Sequence, residues 1–146
     1  MILEILFPYI IAVHVGTIFI IIGLILWADY HAFAWVRGKK ALLEIKQMTR
    51  IHTLMWWGLI IMIISGGLLF YPYKDFLATL FAFRLKMLFV VALIINSFYI
   101  GTVLPIATQK PFAEISLKQK LKLGISGAAS AISWVGAIIT GTMLGL

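Results

Sequence analysis

The strongest constraint in this chain is a set of four stretches without a single Asp, Glu, Lys or Arg. They are Ile5–Ala28, Ile51–Tyr73, Met87–Gln109 and Leu123–Leu146, each 23 or 24 residues long. About 20 apolar residues wound as a helix cross roughly 30 Å of hydrocarbon. Lipid leaves the backbone only helix or closed barrel, and continuous apolarity without alternation selects helix. Composition agrees, since 63% of residues are hydrophobic and 12% charged, about half the charged share of a soluble domain. The expected fold is all-α, an integral membrane antiparallel four-helix bundle. It forms a single transmembrane domain over 1–146, with spans near 5–28, 51–73, 81–105 and 123–146.

The basic residues orient the bundle. Arg37, Lys39, Lys40, Lys46 and Arg50 lie between spans one and two, and Lys110, Lys118, Lys120 and Lys122 between spans three and four. Only Lys74, Arg84 and Lys86 lie between spans two and three, and the tails carry none. This bias puts both termini outside and loops 29–50 and 106–122 in the cytoplasm of a prokaryotic membrane. The net charge of +7 therefore reads as topology signal and headgroup contact with the lipid bilayer, not as a nucleic-acid surface. The first apolar run lacks a basic start, so it does not read as a cleavable leader. With no cysteine, disulfides, thiolate metal sites, iron–sulfur clusters and covalent haem attachment are excluded.

Breakers mark the expected boundaries. Pro8 suits a first helical turn, Gly38 a turn after span one, Pro72 the end of span two and Pro105 the end of span three. The segment Trp27–Arg37 is expected to prolong the first helix beyond the membrane. Trp27, Trp56 and Trp57 fit an aromatic belt on one side, and Tyr9, Tyr71 and Tyr73 on the other. Span four is rich in small residues, with Ala137, Gly141 and Gly145 at helical spacing. Such a stripe serves packing within the bundle, a groove for a flat cofactor, or contact with a second copy in a homo-oligomer.

His14 is the residue that points to chemistry, because an ionisable group deep in an apolar span is costly. In antiparallel hairpins, residues equally far from a turn share a depth. That bookkeeping puts His14, Met62, Lys86 and Met87 in one layer of the outer half, level with residues 138–140, to within one helical turn of ~5 Å. His52 falls about 15 Å from Met62 along its own helix. His31 falls beyond the membrane, near Asp29 and Glu44. Neither belongs to the layer: they read as ordinary residues of the membrane boundary, or with Asp29 and Glu44 as a separate cytoplasmic metal or haem site.

Each candidate has a plain reading beside the chemical one. His14 is either a neutral imidazole satisfied by a neighbouring helix, or an axial metal ligand or proton carrier. Met62 and Met87 are gap-fillers or thioether ligands. Lys86 and Arg84 either snorkel from an interfacial helix over Phe76–Phe83, or turn inward to hold a carboxylate. In the second case a partner is needed, because Glu4 and Asp75 are the only acids near that end. Asn96 is expected to make an interhelical hydrogen bond.

An early-helix His followed by a Gly-rich apolar stretch, with a third helix opening Arg84-Leu-Lys-Met-Leu-Phe-Val-Val91, resembles the HemJ-type protoporphyrinogen oxidases and the related CopD-like four-helix membrane proteins. The resemblance implies a b-type haem on His14 and a functional requirement for Lys86. It departs from the HemJ pattern in helix three, where Asn96-Ser-Phe-Tyr-Ile-Gly101 lacks the further His of that family.

The expected function is thus a membrane b-type haem protein of redox type, acting in electron transfer or porphyrinogen oxidation. His14 is the expected metal ligand, Met62 or Met87 the second ligand, and Lys86 with Arg84 the contact to propionates or an anionic substrate. Two other classes remain open: a small oligomeric ion or metal transporter or channel, and a structural membrane subunit without cofactor.

Overall fold

The computed structural model describes residues 2–145, with side chains from Ile5 onward. The far end of the fourth expected span, Leu146, and the Glu4 side chain lie outside the described residues. Five α-helices follow in order: α1 (Ile2–Val36), α2 (Ile45–Phe70), the short α3 (Lys74–Leu77), α4 (Phe81–Gln109) and α5 (Leu117–Met143). Single 3-10 turns cover Tyr71–Tyr73 and Phe112–Glu114, and no strand occurs among the described residues. Four of the helices are long and apolar enough to cross a membrane. Their apolar stretches expose large hydrophobic side chains: Phe19, Ile20 and Leu26 of α1 are 70%, 66% and 65% exposed. Exposed apolar faces of that kind are consistent with helices of membrane-spanning length and composition.

The helix ends differ from the expected ones in instructive ways. α1 does run past residue 28, to Val36. It then breaks at Gly38, whose φ of +72° is the left-handed conformation that glycine adopts without penalty. The amides of Gly38 and Lys39 turn back to the carbonyls of Trp35 and Ala34. Pro8 is not in the first turn, because α1 already begins at Ile2. Pro105 does not end α4, which continues to Gln109; one missing amide is tolerated where the flanking turns and neighbouring helices hold the backbone. No interfacial helix spans Phe76–Phe83. Instead α3 stops at Leu77, and residues 78–80 lead directly into α4. α5 opens on a capping box in which Ser116 Oγ accepts from the Gln119 amide and Gln119 Oε1 accepts from the Ser116 amide.

The long helices pack as two hairpins, α1 with α2 and α4 with α5, joined chiefly through α2 and α4. They are tied at the end that carries the 37–44 and 110–116 connections. The Ala107 carbonyl would ordinarily accept from residue 111, but that residue is Pro111, which has no amide proton. The Leu43 amide takes that place at 3.0 Å. The Trp35 indole N–H donates to the Lys110 carbonyl at 3.1 Å, filling another of the orphan acceptors at a helix end. Around these bonds pack Trp35, Leu43, Met48, Ile51, Ala107 and Ile115. A second cluster, Ile21, Leu59, Leu93 and Trp134, joins all four long helices at mid-height. Asn96 makes the expected interhelical pair: its Nδ2 donates to the Ser126 carbonyl at 3.0 Å, and its Oδ1 accepts from Ser126 Oγ at 3.2 Å.

Glycines set the close approaches. At Gly136 of α5 a Cβ would overlap the Phe89 ring of α4. Alanine gains up to about 1 kcal/mol over glycine in a helix, whereas forced overpacking costs about 1–3 kcal/mol. Gly136→Ala is therefore expected to lower stability by about 1–2 kcal/mol. Thermal unfolding in detergent followed by circular dichroism should show it, and adding Phe89→Leu should recover most of the loss.

Candidate cofactor cavity

Beyond the Ile21–Leu59–Leu93–Trp134 cluster the two hairpins line a cavity of about 600 Å³ that is partly open at the helix surface, where Met87 is half-exposed, within the 300–1,000 Å³ range of ligand pockets. All four long helices line it. Its floor is Leu59, Leu93 and Trp134. Its far end carries Leu77 with Phe70 and Phe83, whose rings stack at 4.7 Å and 9°.

The layer expected from hairpin bookkeeping is assembled here. His14 of α1, Met62 of α2, and Lys86 and Met87 of α4 all line the cavity. Opposite them in the sequence, α5 contributes Ala137, Ile138 and Gly141. His14 is 4% exposed. Its Nδ1 hydrogen-bonds Ser65 Oγ of α2 at 2.8 Å. Gly66 leaves room for the ring, since a Cβ there would lie 3.3 Å from His14 Cε1. Among the described residues Nε2 has no hydrogen-bond partner. Among the described residues no side-chain nitrogen or oxygen is sealed off without one, so Nε2 opens onto free space, and the space beside it is the cavity.

Lys86 reaches across to α5, where its Nζ would stand 3.3 Å from a Cβ placed on Gly141. Among the described residues no Asp or Glu lines the cavity, so the ammonium meets no described carboxylate there. Arg84 does not join it. The side chain is exposed and its Nε donates to the Ala78 carbonyl at 3.1 Å. Two residues turn a helix by about 200°, so Arg84 and Lys86 take opposite sides of α4.

The other histidines are engaged elsewhere. His52 Nε2 donates to the Ser97 carbonyl at 3.0 Å, with Gly101 beside its ring. Neither His52 nor His31 lines the cavity. His31 does not meet Asp29 and Glu44. Its Nδ1 accepts from Lys40 Nζ at 2.9 Å, and the Gln47 carboxamide pairs with Nε2 at 3.3 Å. Among the described residues no group of three His, Cys, Asp or Glu side chains is placed to hold a metal ion.

The small-residue stripe of α5 faces inward. Ala137 and Gly141 line the cavity, while Gly145 lies past the helix end at φ +74°. Sequence reasoning passed over Ser65, Gly66 and the Phe70–Phe83 pair. The signal was Ser65-Gly66-Gly67, a small polar break one turn beyond Met62 in an otherwise bulky run.

No family model matches the chain, and neither a curated protein nor a solved structure matches it significantly.

An ammonium held beside an apolar cavity without a described counter-charge costs stability. Lys86→Met is therefore expected to stabilise the ligand-free protein by about 1 kcal/mol, read as a higher Tm in detergent. Lys86→Glu should not, because it substitutes one unpaired charge for another.

Proposed function

We propose that this protein is an integral membrane haem protein that carries one b-type haem in the cavity, with His14 Nε2 as axial ligand. The observation that carries the reading is an imidazole fixed through one nitrogen while the other opens onto an apolar cavity. A neutral imidazole is a good iron ligand and is cheaper to bury than a carboxylate. The donor set also favours a macrocycle over a bare ion. One histidine with thioethers is too few ligands for a labile divalent cation, but suffices for an iron whose four equatorial nitrogens come with the haem.

Lys86 supplies the second element, a cation on the cavity wall for a propionate or another carboxylate. Met62 and Met87 offer sulfur from the same wall, and a thioether second ligand would favour the reduced iron. The haem would supply one-electron chemistry. The chain would bind it, orient it and keep water from it. Electron transfer within the bilayer is the simplest such role, and porphyrinogen oxidation is the role implied by the HemJ resemblance. Arg84 has no part in it, being engaged outside the cavity. A conducting path finds less support, because the cavity stops at Leu59, Leu93 and Trp134.

In this reading the chain sits in a prokaryotic cytoplasmic membrane with both termini outside, so the haem lies in the outer half. The cysteine-free sequence makes the orientation easy to test. In intact cells, an impermeant maleimide should label Asp75→Cys and spare Lys40→Cys. The cofactor is tested by the visible spectrum of protein purified from haem-replete cells. A Soret band with reduced α and β bands is expected, absent in His14→Ala. Lys86→Gln should keep the band but release haem faster. A colourless wild-type preparation would overturn the reading.

A further inference from the structure

We infer that Ser65 is the positioning residue for His14: it decides which ring nitrogen carries the proton and so which one serves as ligand. This rests on the haem reading above for its consequence, but not for its geometry. Ser65 Oγ makes two short contacts, 2.7 Å to the Ile61 carbonyl oxygen and 2.8 Å to His14 Nδ1. Each contact needs one proton between the heavy atoms. A carbonyl oxygen has none to give, so the proton toward Ile61 is the serine's own, the familiar back-bond of a helical serine to residue i−4. The serine hydroxyl has only one. The proton in the second contact therefore belongs to His14 Nδ1, which donates to Ser65 Oγ. Nε2 is then the unprotonated nitrogen with its lone pair toward the cavity.

The alternative tautomer is penalised twice. Ser65 would have to leave the Ile61 carbonyl to donate to Nδ1, and an Nε2–H donor would face a mostly apolar lining in which the Met62 and Met87 thioethers are only weak acceptors. An unsatisfied buried donor costs about 1–3 kcal/mol. The arrangement also fixes the ring's direction. Ser65 is 5% exposed, and Gly66 next to it keeps the Cε1 edge free of crowding, since a Cβ there would stand only 3.3 Å away.

Ser65 is a neutral acceptor and already spends its proton elsewhere. It therefore draws less electron density into the imidazole than a carboxylate would, and leaves His14 a plain neutral ligand. Its loss would free the ring and weaken the iron bond, and would move the potential of the bound haem upward, because an imidazole without an Nδ1 acceptor donates less to ferric iron.

The test has two parts on the full-length protein in detergent. Without added haem, ¹⁵N spectra of histidine-labelled protein should show His14 with a protonated Nδ1 and an unprotonated Nε2. Ser65→Ala should give a mixture of tautomers, and Ser65→Thr should keep the wild-type form. A wild-type His14 protonated on Nε2, or a Ser65→Ala spectrum unchanged from wild type, overturns the inference whatever becomes of the haem. With haem added, Ser65→Ala should bind about 10- to 100-fold more weakly with a more positive midpoint potential, and Ser65→Thr should restore both. If His14→Ala abolishes binding while Ser65→Ala matches wild type in affinity and potential, Ser65 is not a positioning residue. If wild type shows the expected tautomer but takes up no haem, the haem reading fails and the placement of the proton stands.

Discussion

Two hydrogen bonds at one end of the bundle govern the rest of it. The Leu43 amide and the Trp35 indole satisfy the Ala107 and Lys110 carbonyls, and so lock the α1–α2 hairpin to the α4–α5 hairpin next to their connecting loops. The Ile21–Leu59–Leu93–Trp134 cluster then acts as a wedge at mid-height. Past that wedge small residues, Gly66, Ala137 and Gly141, interrupt the bulkier side chains that line the gap between the hairpins. The helices cannot collapse onto one another there, because their separation is set by the clamp and the wedge. The space that remains is the cavity.

Into that space the fold places two groups that are costly in an apolar surround. His14 is offset by Ser65, which accepts one polar contact and leaves one open. Lys86 has no offset among the cavity-lining side chains, and packs its ammonium against the bare backbone at Gly141. A fold optimised only for stability would fill the cavity with leucine. Asn96 shows the contrast: it is buried too, yet both ends of its carboxamide are hydrogen-bonded to Ser126, and it needs no ligand to explain it.

Much of this was legible along the helix axes. A rise of 1.5 Å per residue is rigid, so counting from the turns put His14, Met62, Lys86 and Met87 at one height, and the cavity contains all four. The same count kept His52 and His31 out. Rotation about the axes was not legible. The helices are apolar all round, so no stripe marks an inner face, and Arg84 could be paired with Lys86 on paper although they face opposite ways. The stripe Ala137–Gly141 read equally well as an outer or an inner face. Helix ends were blurred too, since Pro105 and Pro8 are tolerated inside helices whose neighbours hold the backbone. Sequence proximity sets His31 near Asp29 and Glu44, whereas the turn after Gly38 brings Lys40 to it and α2 brings Gln47.

The amino-acid sequence alone determined that the chain forms four long apolar helices, and the height of each polar group along them. Both follow from local quantities, the length of an uncharged run and the fixed rise of a helix. Only the tertiary structure decided which side chains face the gap, that Ser65 holds His14, that Lys86 meets Gly141, and that a cavity exists at all. Those depend on how each helix is turned about its axis and how far apart the hairpins stand, and both are set by contacts between residues distant in the chain.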